Sequence, residues 1–407
     1  MGVGRLIPLR RLDGSQLDSL PPLSLYVHLP WCIRKCPYCD FNSHAVPKTD
    51  GTGVDALPEQ RYLDALMADL EAALPSIWGR RIVSVFIGGG TPSLFSVASI
   101  ARLLADLRAR VPLMAAAEIT LEANPGTFET DRFRGFREAG VTRLSIGVQS
   151  FDDSKLKALG RVHSSDQAKA AIEEARQCFD TFNLDLMYAL PGQSVAELAQ
   201  DLGTALSFEP PHLSLYHLTI EPNTAFAQQP PSHLPDDDTA SDMMDLLMAH
   251  TQAAGLQRYE VSAYARPGHR CTHNLNYWTF GDYLGIGAGA HSKLSFHDRI
   301  ERQVRWREPA TYMAQALQGQ AISNQHQVAP GARPFEYMLN ALRLVDGFAM
   351  AEFTERTGLG LNTIQRELQA AENKGLLCRD LQHAWPTAKG LDFLSDLQAL
   401  FLQDDTD

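Results

Sequence analysis

The 407-residue sequence contains no run of about 18 apolar residues, the length needed to span a bilayer. Residues 1–16 contain no apolar core of the kind that a secretory signal requires. Positive charge is scarce as well, since 36 Lys and Arg stand against 48 Asp and Glu, for a formal net charge of −12. Nucleic-acid-binding proteins need many cations to neutralise phosphates, so the sequence predicts no nucleic-acid partner and at most a peripheral contact with membranes.

Cysteine is also rare, and three of the six cysteines lie in one short stretch. Cys32, Cys36 and Cys39 form a C-x3-C-x2-C array within YVHLPWCIRKCPYCDFNSH (26–44). Thiolates this close in sequence favour a common metal centre, and such a cluster indicates a reducing, cytoplasmic compartment. A four-iron cluster uses four thiolates, but the position two residues after Cys39 is Phe41. Three protein ligands would leave one iron open to a ligand from outside the chain.

A structural zinc site completed by His28 or His44 is the alternative interpretation of this array. Structural zinc sites usually combine one closely spaced cysteine pair with a second, distant pair of ligands. The remaining cysteines, Cys178, Cys271 and Cys378, are solitary and far apart. The spacing therefore favours an iron–sulfur cluster over zinc.

Apolar runs rich in β-branched residues alternate with amphipathic helical patterns in the first half of the chain. Strands are predicted over 23–29, 82–88, 118–124, 143–149, 183–190 and 212–220. Helices are predicted over 59–74, 96–111, 129–139, 165–179 and 194–206. This alternation is typical of a parallel sheet, and near-continuous apolar strands are typical of a sheet covered on both faces. The sequence therefore predicts an α/β fold, a partial (β/α)6 barrel with its site at the carboxyl ends of the strands.

The pattern changes after a Pro- and Asp-rich stretch at 228–238. We predict four segments: an N-terminal arm (1–22), the barrel (23–228), an α+β region (239–330) and a C-terminal module (331–407). The helix–helix–hairpin–helix order of the last segment resembles a winged helix. Residues 346–407 hold 5 Lys and Arg against 11 Asp and Glu, a net charge of −6. That charge favours a structural or protein-docking role over DNA binding.

The three-cysteine array and its flanking Tyr26, Pro30 and Tyr38 resemble the signature of the radical S-adenosylmethionine (SAM) superfamily. The resemblance implies that the three cysteines hold a 4Fe–4S cluster and that SAM is the ligand of the fourth iron. It also implies the partial-barrel fold, which the alternation of strands and helices predicts independently.

A glycine run, GGGTP (88–92), follows a predicted strand directly and precedes a predicted helix. Glycine lets the backbone approach a ligand closely and present N–H groups to it, although an ordinary tight turn needs glycine too. Together with the cysteine array, the run resembles the superfamily motif that contacts the amino group of SAM. By this resemblance Gly89, Gly90 and Thr91 belong to the SAM site.

Four polar residues align with the oxygen-independent coproporphyrinogen III oxidase branch of the superfamily: Glu122, Gln149, Arg161 and Asp185. By resemblance these residues contact SAM, together with Tyr26. A carboxylate suits the amine of SAM, a guanidinium suits its carboxylate, and polar groups suit its ribose. Any one of them could instead be a satisfied buried polar group, but four at successive strand ends favour a common ligand.

The string HNLNYW (273–278) offers one imidazole and two large aromatic faces, which suit the edge of a porphyrin. It resembles the signature of the HemW-type haem chaperones in this branch, as does CPYCDFNSH. By resemblance His273, Tyr277 and Trp278 bind haem, and Cys271 is an alternative thiol ligand. The other interpretation is an edge strand with a capped histidine and core aromatics. If a haem-binding string is a strand, Tyr277 and Trp278 point in opposite directions, so only one of them can face the porphyrin.

The resemblance implies a haem chaperone on a radical SAM scaffold, which binds a 4Fe–4S cluster, SAM and haem and delivers haem to respiratory-chain proteins. The alternative is a SAM-dependent, oxygen-independent coproporphyrinogen III dehydrogenase. Oxidases of that class carry a fourth cysteine two residues after the third, where this chain has Phe41, and a longer N-terminal extension. Phe41, the short extension and the HNLNYW string favour the chaperone, and whether the chain is an enzyme stays open.

Overall fold

The computed structural model describes residues 16–46, 57–126 and 132–402, and within these ranges twelve strands form one sheet. A two-stranded sheet pairs β2 with β3, and a three-stranded sheet has the order β15-β17-β16. In chain order the strands are β1 (Leu23–Leu29), β2 (Trp31–Cys32), β3 (His44–Ala45), β4 (Ile82–Gly89), β5 (Leu113–Ala123), β6 (Arg143–Gln149), β7 (Phe182–Tyr188), β8 (His212–His217), β9 (Gln257–Arg258), β10 (Ala263–Ala265), β11 (Asp282–Ile286), β12 (His291–Ser295), β13 (Ile300–Arg305), β14 (Ile322–Gln327), β15 (Phe348–Ala349), β16 (Leu377–Arg379) and β17 (His383–Pro386).

Helices connect most of these strands. They are α1 (Glu59–Ala73), α2 (Val97–Arg110), α3 (Phe133–Ala139), α4 (Asp153–Ala158), α5 (Ser165–Cys178), α6 (Val195–Ser207), α7 (Ala225–Gln228), α8 (Asp237–Ala253), α9 (Thr272–Trp278), α10 (Pro309–Ala316), α11 (Arg333–Ala341), α12 (Met350–Thr357), α13 (Gln365–Asn373), α14 (Ala388–Asp392) and α15 (Leu394–Ala399). Within the described ranges, none of the helices is both long and apolar enough to cross a membrane.

The strands β1, β4, β5, β6, β7 and β8 lie side by side in chain order, and each pair is parallel. They confirm the six predicted strands, and the largest shift is at β5, which begins at Leu113. Both faces of the sheet are covered, since the adjacent residues Ser24 and Leu25 in β1, and Ser84 and Val85 in β4, point to opposite faces and are fully buried. In the described residues the sheet is open, with β14 at one edge and β9 at the other. The structure thus has the predicted partial barrel.

The chain after residue 238 extends this same sheet at both edges. On one side β11 pairs in parallel with β1, and β12, β13 and β14 follow as antiparallel strands. On the other side β10 pairs antiparallel with β8 and with β9. Backbone hydrogen bonds therefore cross the predicted boundary between 23–228 and 239–330, and the division into four segments stays a prediction. Residues 1–15 of the predicted arm lie outside the described residues.

The C-terminal module builds most of a second hydrophobic core, to which Leu17, Phe280 and Ile300 from earlier in the chain also contribute. At its centre the ring of Tyr337 meets those of Phe348 and Phe353 edge-on, with centroids 5.3 Å apart in each pair. The elements follow the predicted helix–helix–hairpin–helix order. The last predicted helix, over 391–402, is instead two short helices that meet at Phe393.

The HNLNYW string is helical, so the strand interpretation of this segment is wrong. It forms most of α9, whose first turn closes where Leu275 N donates to Cys271 O at 3.0 Å. The helix ends where Gly281 N donates to Asn276 O at 2.7 Å. Residues four apart share one face of a helix, so His273 and Tyr277 lie on the same side, with ring centroids 4.9 Å apart.

Candidate functional site

The cysteine loop follows the carboxyl end of β1 and is held at both ends by the pairing of β2 with β3. Within the loop the backbone turns where Cys39 N donates to Cys36 O at 3.2 Å. All three predicted cluster ligands line one cavity of about 600 Å³, although within the described residues their side chains are not drawn together into a metal-binding group. Burial raises the pKa of Cys32 to about 11 and also raises the pKa of Cys39. At neutral pH thiolates at these positions need a metal or another cation to stabilise them.

The glycine segment at the end of β4 is bound to the backbone that leads into this loop. Gly90 N donates to Leu29 O and Thr91 N donates to Trp31 O, both at 2.8 Å. A Cβ atom on Gly90 would lie 2.6 Å from the Trp31 carbonyl oxygen, so a side chain at this position would collide with the loop.

Gly89 also lies close to neighbouring side chains, those of His28 and Glu122. Its φ of +116° is left-handed, and a Cβ there would lie 2.6 Å from the imidazole of His28. Gly89 N donates to Glu122 Oε2 at 3.0 Å. The three N–H groups of Gly89, Gly90 and Thr91 thus bind the protein itself, whereas the sequence predicts that they are presented to a ligand. These N–H groups are therefore not available to a ligand, although Gly89 and Gly90 still line the cavity.

A chain of hydrogen bonds runs between two of the cluster cysteines. Thr91 Oγ1 donates to Cys32 Sγ at 3.4 Å, and Asn124 Nδ2 donates to Thr91 Oγ1 at 2.8 Å. Arg161 Nη2 donates to Asn124 Oδ1 at 2.6 Å, and Arg161 Nη1 donates to Cys36 Sγ at 3.8 Å. Side chains that form hydrogen bonds to metal ligands orient those ligands and tune the reactivity of the metal. Sequence analysis missed Asn124, although its position just after β5 is the signal that would have found it.

Two carboxylates in this cavity have raised pKa values. Burial, and then the charge of Asp185, raises the pKa of Glu122 to about 7. Burial also raises the pKa of Asp185, although Asn183 and Ser145 donate hydrogen bonds to it at 2.8 and 3.0 Å. Asp185 lies inside β7 rather than at its end. A positively charged ligand would favour the ionised form of both groups, so this part of the cavity suits a cation.

The cavity also holds the other predicted SAM residues, with one exception. Those that line it are Gly89, Gly90, Thr91, Glu122, Gln149, Arg161 and Asp185. Gln149 ends β6 with a φ of +68°, an uncommon conformation for a residue with a side chain. Tyr26 lies outside this cavity and lines the neighbouring one, where its hydroxyl is 3.0 Å from His28 Nδ1.

The residues in the cavity fit a 4Fe–4S cluster and SAM. The thiols of Cys32, Cys36 and Cys39 line it, and the Nε of Arg161 is buried without a hydrogen-bond partner in the described part of the chain. An orphaned guanidinium nitrogen suits a carboxylate, and the carboxylate of Glu122 suits an ammonium group. Cys32, Cys36 and Cys39 would hold the cluster, which supplies one-electron chemistry when it is bound.

The zinc alternative would need a ring nitrogen of His28 or His44. Both ring nitrogens of His28 are engaged, Nδ1 with the hydroxyl of Tyr26 and Nε2 with Asn42 O at 2.9 Å. His44 Nε2 lies 3.3 Å from Asn42 Oδ1. A zinc ligand needs an unoccupied ring nitrogen, so the contacts of His28 argue against it as a zinc ligand.

A second cavity, of about 530 Å³, lies beside the first and shares part of its wall. The shared residues include Phe41, Phe86, Gly89, Glu122 and Trp278. Its other lining is largely aromatic and histidine, and comes from Tyr26, His28, His273, Tyr277, Tyr283 and His291. The predicted haem residues therefore line the second cavity, and Trp278 lines the first as well, so they lie next to the cluster ligands rather than in a separate region.

His273 forms the inner wall of this aromatic cavity. Its Nδ1 is 3.1 Å from Ser84 Oγ, and its ring stacks on Phe86 with centroids 4.8 Å apart. Only 3% of the residue is exposed, and burial lowers its pKa to about 3. The alternative ligand Cys271 is buried too, and its Sγ donates to Glu118 Oε1 at 3.5 Å. Neither side chain is open to solvent.

Comparisons with known proteins agree with this arrangement. Residues 26–205 match the radical SAM superfamily, and residues 328–393 match the HemN C-terminal domain. The solved structure of coproporphyrinogen III oxidase (HemN) from Escherichia coli, a radical SAM enzyme, is 25% identical, with a TM-score of 0.79. That match covers 94% of this chain and 90% of the oxidase. The chain is thus a radical SAM protein, and this class implies a 4Fe–4S cluster and SAM as cofactors.

Two curated relatives define the family more narrowly. The haem chaperone HemW of Escherichia coli K12 is 48% identical over 94% of this chain and 99% of that protein. The haem chaperone HemW of Haemophilus influenzae is 45% identical over 96% of this chain and 100% of that protein. The chain belongs to the HemW family.

The cluster assignment is tested by removing single thiols. After anaerobic reconstitution we expect about four irons and four sulfides per chain, and loss of the absorbance near roughly 400 nm when Cys32, Cys36 or Cys39 is changed to Ala. Cys178→Ala, at the end of α5, is the matched control and should keep the cluster. Stoichiometric zinc without sulfide in protein purified under argon would contradict the assignment.

The raised pKa of Glu122 predicts a pH dependence of SAM binding. Because an ionised carboxylate is needed to pair with the amine of SAM, affinity should rise as pH increases through about 7 and then level off. Glu122→Gln should lose this dependence and about 2–5 kcal/mol of binding free energy. Glu221→Gln, which alters another carboxylate lining the same cavity, is the control. Equilibrium SAM binding by Glu122→Gln equal to that of the parent would refute the placement.

Proposed function

We propose that this protein is a haem chaperone that binds haem in the aromatic cavity and delivers it to other proteins. The observation that carries the proposal is the position of this cavity, which shares Phe86, Gly89 and Glu122 with the cavity of the cluster ligands. Aromatic walls suit the faces of a porphyrin, and the nearby histidines suit its iron. The printed name of the curated relatives, haem chaperone HemW, supports the same function.

The proposed haem-binding residues are His273, Tyr277 and Trp278. Tyr277 packs on His273 and on Tyr283, with centroids 4.9 and 4.2 Å apart, so an aromatic stack forms the inner wall of the cavity. Trp278 lines both cavities, and the guanidinium carbon of Arg343 lies 4.3 Å from the centroid of its ring. The proposed SAM-binding residues are Tyr26, Gly89, Gly90, Thr91, Glu122, Gln149, Arg161 and Asp185.

Through the wall that the two cavities share, the cluster and SAM would influence haem binding. Glu122 has its carboxylate on the first cavity and also lines the second, and its hydrogen bond to Gly89 N fixes the wall between them. A change in the charge of the cluster or in SAM occupancy would reach the haem cavity through these residues. The cofactors then act as a redox- or ligand-sensitive switch for haem binding.

The proposed acceptors of haem are respiratory-chain proteins. The chain would reach them from the cytoplasm, with at most a peripheral contact with the membrane. The net charge of −12 argues against a nucleic-acid partner, since phosphate binding needs clustered cations. The C-terminal module would then be a structural or protein-docking unit.

The second candidate function is SAM-dependent coproporphyrinogen III dehydrogenation. The observation in its favour is the likeness to the HemN structure over 94% of the chain. Phe41 stands against it, because this residue occupies the position of the oxidases' fourth cysteine. Its side chain is 61% exposed and lines both cavities.

Haem delivery is the direct test. Protein loaded with ferric haem should restore activity to a haem-free respiratory enzyme in membrane vesicles, and Trp278→Ala should deliver less because a wall of the cavity is lost. The control is the Trp78→Ala variant loaded with haemin, which changes an 84% exposed tryptophan away from both cavities and should deliver haem as the parent does. We also expect no conversion of coproporphyrinogen III by the reduced, SAM-supplied protein. Robust decarboxylation without haem delivery would establish the second candidate instead.

A further inference from the structure

Three histidines line the aromatic cavity: His28, His273 and His291. A haem iron takes an axial nitrogen or sulfur ligand, and a neutral imidazole binds it through a ring nitrogen that no other group uses. The ligand must also stand where a porphyrin face can approach it. These two requirements distinguish the three histidines as candidate ligands.

Two of the rings are already engaged by the protein. Both nitrogens of His28 are hydrogen bonded, and the residue is 4% exposed. His273 is 3% exposed, its Nδ1 is beside Ser84 Oγ, and Phe86 and Tyr277 pack against its ring. An iron could bind the nitrogens of His28 or the Nδ1 of His273 only after these contacts had been broken. The 3% exposure of His273 leaves a porphyrin little access to its Nε2.

His291 meets both requirements. It begins β12, where its backbone pairs with Val304, so the sheet fixes its position. Its side chain is exposed, and within the described ranges its ring makes no hydrogen bond. Partial burial and the positive charges of Arg302 and Arg307 lower its pKa, so its imidazole is neutral near pH 7, the form that binds metal.

The same end of the cavity carries the other groups that a haem needs. Phe41 offers an exposed aromatic face, and Arg307 is an exposed cation without an ion-pair partner in the part of the chain that the structure describes. Asn42 Nδ2 donates to Arg307 O at 2.8 Å and to Ala288 O at 2.9 Å. The cysteine loop thereby holds the backbone of Arg307 beside the cavity, where its guanidinium suits a propionate.

We infer that His291 is the axial ligand of the haem iron, with Arg307 pairing a propionate and Phe41 covering a face of the macrocycle. This inference rests on the proposed function and assigns a residue that the HNLNYW string does not contain. His273 is then a positioning residue, which holds Tyr277 and the inner wall through its stack on Phe86.

The test is the spectrum and affinity of bound ferric haem in single histidine variants. Loss of an outer-shell partner already costs about 10- to 100-fold in metal affinity, so His291→Ala should weaken haem binding at least about tenfold. It should also lose the nitrogen-ligated signature in magnetic circular dichroism, and added imidazole should restore that signature in His291→Gly. His273→Ala should keep the signature. His250→Ala, at an exposed position of α8, should match the parent.

The outcomes separate the two proposals. All variants must first hold the cluster and bind SAM, which shows that they are folded. A parent protein that binds no haem overturns the proposed function and this inference with it. A parent that binds haem, with an unchanged spectrum in His291→Ala, overturns the inference alone, and loss of the signature in His273→Ala would move the ligand to that residue.

Discussion

The close contact between the glycine segment of β4 and the end of β1 is the constraint on which both cavities depend. Gly90 and Thr91 donate their N–H groups to the backbone that leads into the cysteine loop, so the loop has a fixed position over the sheet. Thr91 can then reach Cys32 Sγ at 3.4 Å, and Gly89 N can reach Glu122 at 3.0 Å. Because a Cβ on either glycine would collide with neighbouring atoms, any larger residue would displace the loop.

Much of this arrangement could be predicted from sequence, because its causes are local. Apolar runs separated by helical patterns are sufficient to predict parallel strands, and polar residues at strand ends then share one edge. Asn124 was missed because its role lies in contacts with Thr91 and Arg161, which are distant in sequence. The helical conformation of α9 was missed because its buried face packs on β4, which is distant in sequence. This packing includes the stack of His273 on Phe86. His291 offers no local signal at all, since its neighbours come from separate segments.

The wall between the cavities joins the two halves of the proposed function. Glu122 is buried beside Asp185, and its raised pKa leaves it near half-ionised at neutral pH. Its charge therefore responds to whatever occupies the first cavity, while it also lines the second. Phe41 lines both cavities as well, so it is a second residue through which the cofactor site and the cargo site would be coupled.

The most direct test of this account is an anaerobic crystal structure of the reconstituted protein with ferric haem, phased at the iron absorption edge. The account predicts two separate iron positions, a cluster bound to Cys32, Cys36 and Cys39 and a single iron in the aromatic cavity between Phe41 and Trp278. A haem iron found on any other surface of the protein, with the aromatic cavity empty, would contradict it.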